Sequence, residues 1–164
     1  MVNESSEDVA IREVMEWAEL GEAARSLGAQ IIADDYRPEV ILGIARGGLL
    51  PAGAVAYALG IKNACAMSVE FYTGIEERLD VPMVLPPVPD LVTLADKQML
   101  IVDDVADTGG TLQVVQDFCK GKVAEVRTAV LYEKPRSLVK CDYVWRRTER
   151  WITFPWSADD PLEA

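Results

Sequence analysis

Two apolar runs of strand length, VILGIA at 40–45 and QMLIV at 98–102, carry no alternating polar face. A strand with apolar side chains at successive positions has to be covered on both sides, which is the situation of a parallel sheet flanked by helices. Each run leads into a short glycine-bearing loop and then into a helical segment. Leu49–Leu59 follows the first, with Pro51 tolerated in the first turn. Thr111–Cys119 follows the second, with Leu112, Val115 and Phe118 or Cys119 on one face. A helix is also predicted over Trp17–Asp35, where Leu20, Ala24, Leu27 and Ile31 recur at helical spacing before Arg37-Pro38 breaks the pattern. Further strands are expected at Ile11–Met15, Ala64–Phe71, Val126–Tyr132 and Tyr143–Trp145. The alternation predicts an α/β fold with a mainly parallel central sheet flanked by helices.

The chain has 164 residues, enough for one domain with a substantial core, so residues 1–164 are expected to form a single domain. Residues 1–10 are polar and acidic, are expected to be disordered or frayed, and do not resemble a signal peptide. Residues 73–96 run from the charged GIEERLD into the proline-rich VPMVLPPVPDL, a composition that predicts a surface excursion or flap. Val40–Ile61 carries a single charge and is long enough to cross a bilayer. Arg46 near its middle, with Gly43, Gly47, Gly48 and Pro51 around it, argues instead for a buried strand, a tight loop and a packed helix, so no membrane span is expected. The formal net charge of −11 disfavours non-specific nucleic-acid binding, which needs basic surfaces. Cys65, Cys119 and Cys141 are widely spaced and odd in number, which favours a reducing, cytoplasmic setting. The chain has no histidine, which removes Ser-His and Cys-His nucleophile schemes and histidine metal sites.

The chemistry concentrates in LIVDDVADTGGT, residues 100–111. A buried strand here runs into three aspartates within five positions, then into Thr-Gly-Gly-Thr at the start of a helix. In open α/β sheets ligands bind beyond the carboxyl ends of the strands. The first turn of a helix offers unpaired N–H groups and a partial positive charge. Gly109 and Gly110 let the backbone approach a ligand closely, and Thr108 and Thr111 add hydroxyl donors. That half of the stretch suits a phosphate. Asp103 and Asp104 would repel a phosphate, but they suit sugar hydroxyls or Mg²⁺. Asp107 remains, close to where the reacting carbon of such a sugar would lie. A phosphorylated sugar accounts for both halves. Other motifs do not fit: GxxxxGK[ST] is absent, residues 43–48 read GIARGG where a dinucleotide fingerprint needs GxGxxG, and an EF-hand begun at Asp103 would need Gly and Glu where Thr108 and Val114 stand.

IVDDVADTGGT closely resembles the ribose-5-phosphate signature of the type I phosphoribosyltransferases, and the resemblance extends over about residues 12–156. These enzymes exchange the pyrophosphate of 5-phosphoribosyl pyrophosphate (PRPP) for a nitrogenous base. The resemblance implies the type I phosphoribosyltransferase fold with a small hood or flap, and a Mg²⁺ cofactor with Asp104 as a ligand. It implies a PRPP site formed by Arg46, Gly47, Asp103, Asp104, Val105, Ala106, Asp107, Thr108, Gly109, Gly110 and Thr111. ARGG at 45–48 matches the pyrophosphate loop, and Arg78 of the hood could reach PRPP in its own or a neighbouring subunit. YEKP at 132–135 and RWITFPW at 150–156 resemble the xanthine–guanine (6-oxopurine) branch of the family. Carried over, Lys134 contacts the purine 6-oxo group, Trp151 stacks on the ring, the Ile152 backbone lies near the 2-position, and Asp107 handles the proton at N7 as the catalytic residue. An ammonium only donates hydrogen bonds, which favours a 6-oxo acceptor over a 6-amino group. The expected partners are PRPP and a purine base. The family is usually dimeric or tetrameric, so a homodimer or homotetramer is expected. Two other readings stay open: a PRPP-binding regulator without turnover, and a phosphoribosyltransferase for a non-purine base.

Overall fold

The computed structural model describes residues 12–72, 81–86 and 88–163. The expectations for residues 1–10 and for Arg78 lie outside these. Eight strands and three helices follow in the order β1 (Arg12–Val14), α1 (Trp17–Ala33), β2 (Val40–Ala45), α2 (Leu49–Leu59), β3 (Ala64–Tyr72), β4 (Val81–Leu85), β5 (Gln98–Ala106), α3 (Gly110–Cys119), β6 (Glu125–Glu133), β7 (Tyr143–Arg147) and β8 (Trp151–Thr153) among the described residues. The main sheet has the order β4-β3-β2-β5-β6-β7 and is parallel except at β4. A second, two-stranded parallel sheet joins β1 to β8.

The two apolar runs occupy the centre of the sheet, and their residues divide between its faces. Ile41, Leu100 and Val102 pack with α1 and α2 through Leu27, Ile31, Ala52 and Val55. Val40, Leu42, Ile44, Met99 and Ile101 pack on the other face with Leu112, Val115 and Cys119 of α3. Each large aliphatic side chain buried in this way contributes about 1.5–3 kcal/mol relative to exposure, so a polar substitution on either face of β2 or β5 would be costly. The stretch 40–61 is divided between β2 and α2, and no described helix is long and apolar enough to cross a membrane.

Several boundaries differ from the sequence expectation. The helix α1 ends at Ala33, two residues early, because Asp35 takes a left-handed φ of 53° and the Tyr36 N–H turns back to the Ile31 carbonyl at 3.2 Å. Part of the 73–96 excursion, Val81–Leu85, instead extends the sheet as an antiparallel strand on β3. Pro82 is tolerated there because β4 is an edge strand, where a missing N–H breaks no second ladder. The strand β5 continues past Val102 to Ala106, since its ladder to β6 runs on through Val105–Tyr132 and Ala106–Glu133. Its pairing with β2 stops at Gly43–Val102. Beyond that point Asp103–Ala106 is held along one edge and open along the other.

This opening is where the topology reverses. The chain leaves β2 towards β3 on one side, and leaves β5 towards β6 on the other. The crevice between the carboxyl ends of β2 and β5 is the ligand position that an open α/β sheet creates.

Candidate active site

The loop after β2 and the end of β5 meet at this crevice. The backbone of Gly47 lies so close to Asp104 that a Cβ there would stand 2.0 Å from the Asp104 Oδ2 and 2.5 Å from its Cγ. The peptide bond between Ala45 and Arg46 is cis. Arg46 is exposed and, with Gly47, Asp104, Trp156 and the segment through Asp159 and Asp160, lines a cleft of about 880 Å³. The structure thus places Arg46 and Gly47 of the first loop against Asp104 of the second, as neighbours in one cleft.

The paired aspartates are restrained by their own backbone. Asp103 Oδ1 accepts the Asp104 N–H at 2.9 Å, and Asp104 Oδ1 accepts the Val105 N–H at 2.7 Å. Burial raises the pKa of Asp103 well above the usual carboxylate value, and the neighbouring Asp104 charge adds to the shift. Burial raises Asp104 as well, opposed by hydrogen bonds from the Asp103 side chain, the Val105 N–H and the Trp156 side chain. Trp156 is itself fixed by stacking on Phe154, with ring centroids 4.8 Å apart, and by an edge contact with Trp17. Burial and mutual repulsion disfavour charge on both carboxyls at once, a penalty that a cation or a set of hydroxyl donors would relieve.

Beyond them the chain turns into α3. Gly109 has φ 83°, and a side chain there would meet Ser137 Oγ at 2.6 Å and the Val139 nitrogen at 2.8 Å. Only glycine satisfies both the left-handed backbone and the close approach. The Gly109 carbonyl accepts the Gln113 N–H at 2.9 Å, which starts the helix at Gly110. Thr108 Oγ1 accepts the Gly110 N–H at 3.4 Å. Thr108, Gly109, Gly110 and Thr111 thereby form one turn around a helix N-terminus, the geometry that binds phosphate.

A second cavity, of about 280 Å³, adjoins this turn. Asp107, Lys134, Trp151 and Ile152 all line it, although they come from three separate parts of the chain. Val105 also faces it, as do Arg12, Phe154 and Ser157, which sequence reasoning did not single out. The Lys134 backbone is set by its N–H bond to the Ala106 carbonyl at 2.9 Å. Its buried side chain donates one hydrogen bond, Nζ to the Arg150 carbonyl at 2.8 Å, and Nζ lies 5.9 Å from the Trp151 ring centroid. The β1–β8 pairing holds Trp151 and Ile152 in place, with Arg12 opposite Trp151 and Glu13 opposite Ile152. Trp151 remains 65 % exposed, so its ring is available for stacking. Asp107 Oδ1 accepts two bonds from Arg136, at 2.8 Å from Nε and 2.5 Å from Nη2. Arg136 was not singled out from the sequence, where it stands in the polar turn after Pro135.

Among the described residues, no group of three or more His, Cys, Asp or Glu side chains forms a metal cage. Mg²⁺ characteristically takes only one or two carboxylates and completes its shell with water and substrate phosphate oxygens, and Asp103 and Asp104 fit that pattern. The three cysteines are free, and burial raises Cys119 to about 11 and Cys141 to about 12, which leaves neither as a thiolate nucleophile.

Comparison with known proteins gives a consistent result. The phosphoribosyl transferase domain family matches residues 11–161. The xanthine-guanine phosphoribosyltransferase of Idiomarina loihiensis is 31% identical over 144 residues, covering 85% of this chain and 83% of that protein. The protein of the same name from Gluconobacter oxydans is 32% identical over 143 residues, covering 85% and 81%. The crystal structure of a purine phosphoribosyltransferase from Pyrococcus horikoshii OT3 superposes with a TM-score of 0.81 at 37% identity, covering 93% of this chain and 99% of that one.

Proposed function

Because the chain belongs to the phosphoribosyl transferase domain family, we propose that it is a purine-salvage enzyme that converts a 6-oxopurine (guanine, xanthine or hypoxanthine) and PRPP to the nucleoside 5′-monophosphate and pyrophosphate. The observation that carries this reading is the 280 Å³ cavity lined together by Asp107, Lys134, Trp151 and Ile152, directly beside the Thr108–Thr111 turn. A phosphorylated ribose seated at that turn would present its anomeric carbon towards a base held in the cavity.

In this reading the 5-phosphate takes the backbone N–H groups and hydroxyls of the turn. Asp103 and Asp104 receive the ribose hydroxyls. Arg46 and the Gly47 backbone face the pyrophosphate, whose negative charge grows as its bond to C1′ breaks, and a fixed cation there stabilises that charge most in the transition state. Bound Mg²⁺ would neutralise the pyrophosphate and orient it, with Asp104 as its protein ligand. The purine lies against Trp151. Lys134 has spent one N–H on the Arg150 carbonyl and keeps others for the 6-oxo oxygen. N9 of the base forms the new bond to C1′, and Asp107 accepts the N7 proton.

Substituting Lys134→Ala tests the assignment. The proposal expects 6-oxopurine turnover to fall at least tenfold, an effect of about 1.4 kcal/mol, while PRPP binding by calorimetry stays near wild type. Unchanged turnover of guanine, hypoxanthine and xanthine would remove Lys134 as the oxo contact.

A further inference from the structure

The turn that carries Lys134 is laced to the turn that carries Asp107. The Lys134 N–H bonds the Ala106 carbonyl at 2.9 Å, and the Leu138 N–H bonds the Thr108 carbonyl at 2.8 Å. These two backbone bonds flank Asp107 on one strand of the lacing and Arg136 on the other. The Ser137 N–H closes the turn onto the Lys134 carbonyl at 3.0 Å, and Ser137 Oγ is tied to the Val139 carbonyl at 2.7 Å. Arg136 is therefore held opposite Asp107 by the backbone on both sides. It lies along a neighbouring cleft with Glu149, Lys134 and Trp151. Both of its contacts with Asp107 fall on Oδ1. The Asp107 Oδ2 takes no part in the pair.

We propose that Arg136 is a positioning residue for the reaction, one that anchors Asp107 through Oδ1 and so presents Oδ2 to the purine as a hydrogen-bond acceptor. This rests on the reading that Asp107 meets N7 of the base. A carboxylate held by a guanidinium accepts hydrogen bonds and does not donate them. Such an acceptor selects the tautomer that carries its imidazole proton on N7, and that tautomer leaves the N9 lone pair free to attack. When the N9–C1′ bond forms and the C1′–O bond to pyrophosphate breaks, positive charge develops on the imidazole ring. The N7 proton then passes to Asp107 and on to solvent, and the electron pair of the broken bond leaves with pyrophosphate. Arg136 touches neither substrate in this scheme. Its effect reaches the reaction only through the direction in which the Asp107 carboxylate points.

A double-mutant cycle tests the proposal on the full chain, with Arg136→Gln, Arg136→Lys, Asp107→Asn and the Arg136→Gln/Asp107→Asn pair. The readouts are kcat, both KM values and thermal stability. Arg136→Gln is expected to lower kcat about tenfold, a fraction of the 10²–10⁴ that a positioned acid or base supplies, with KM for PRPP unchanged. Arg136→Lys, which keeps the charge but loses the two-pronged contact, should fall between Gln and wild type. On the Asp107→Asn background, Arg136→Gln should have no further effect. An equal loss in both backgrounds would mean that Arg136 acts independently of Asp107, and would overturn the proposal. So would a wild-type kcat for Arg136→Gln while Asp107→Asn is impaired, an outcome that leaves the purine reading intact. Full activity in Asp107→Asn would instead remove the Asp107 role itself, and the proposal with it.

Discussion

Gly47→Ala adds one methyl group at the point where the two halves of the site meet. The new Cβ would lie 2.0 Å from Asp104 Oδ2 and 2.9 Å from Oδ1, whereas real Cβ contacts stay beyond 3.0 Å. The carboxylate or the loop must therefore move by at least about 1 Å, and a displacement of that size at a reacting centre can cost about 10²-fold in rate. The side chain of Asp104 is not free to swing away, because Oδ1 holds the Val105 N–H at 2.7 Å and the Trp156 side chain supports the same carboxyl. Breaking a hydrogen bond to a charged group costs about 1.5–3 kcal/mol, which bounds the loss of stability if the carboxyl rotates. Replacing glycine reduces the entropy of the unfolded chain and returns about 0.4–1 kcal/mol. Net destabilisation is thus about 0.5–2.6 kcal/mol, spread over the whole fold, while the loss of transition-state stabilisation is about 2.7 kcal/mol for a 10²-fold fall. Steady-state kinetics alongside a thermal melt would separate the two. The expected result is a Tm lowered by no more than about 10 °C, so that the variant is still folded at the assay temperature, together with a kcat/KM for PRPP reduced about 10²-fold. Wild-type kinetics for Gly47→Ala would show that the approach of this loop to Asp104 has no bearing on PRPP, and would refute the reasoning.

Trp151→Ala should raise KM for the purine, since stacking of a base on an aromatic ring is worth about 1–3 kcal/mol, while Trp151→Phe should retain most of the affinity; steady-state kinetics with guanine and hypoxanthine would measure both. Asp103→Asn should make the ligand-free protein more stable at neutral pH. The folded-state pKa of Asp103 is raised by burial, so the folded protein binds more protons than the unfolded chain between the ordinary value of 3.8 and the raised one. Stability contributed by this group therefore falls as pH rises through that window and is recovered as pH falls towards 3.8. The Tm advantage of the variant should accordingly shrink on acidification, and a constant difference from pH 4 to pH 8 would contradict the desolvation account. Catalysis by the same variant should be lower, because the amide puts an NH₂ group in place of one of the two carboxyl oxygens proposed to meet the ribose hydroxyls.

The centre of the fold was legible because its strands are buried on both faces, and such burial leaves a run of apolar residues that few other environments require. The ranges of β2 and α2 emerge directly from VILGIA and LLPAGAVAYAL between their glycine loops. The edges were harder. Val81–Leu85 is an edge strand, and Pro82 within it and Pro86 just after it mimic a loop composition. Trp151–Thr153 is too short to show a period and exists only because β1 pairs with it. Asp103–Ala106 continues β5 against its polarity, since the ladder to β6 overrides the local preference of aspartate for turns.

The site divided in the same way. The Thr108–Thr111 turn and the paired aspartates stand in one contiguous stretch whose residue types have few other uses together. The gathering of Asp107, Lys134 and Trp151 around one cavity depends on the β5–β6 ladder and the β1–β8 pair, and the sequence suggested it only through resemblance. Arg136 carried no signal of its own. An arginine after Lys-Pro is an ordinary surface residue until two backbone bonds set it opposite Asp107.

The most direct test is product formation from PRPP and Mg²⁺ with hypoxanthine, guanine, xanthine, adenine, orotate and uracil offered separately and resolved by chromatography. The account predicts a nucleoside 5′-monophosphate and pyrophosphate from one or more of the 6-oxopurines, with adenine and both pyrimidines inert. Turnover of adenine, orotate or uracil in preference to the 6-oxopurines, or no turnover with any base while PRPP still binds, would contradict it.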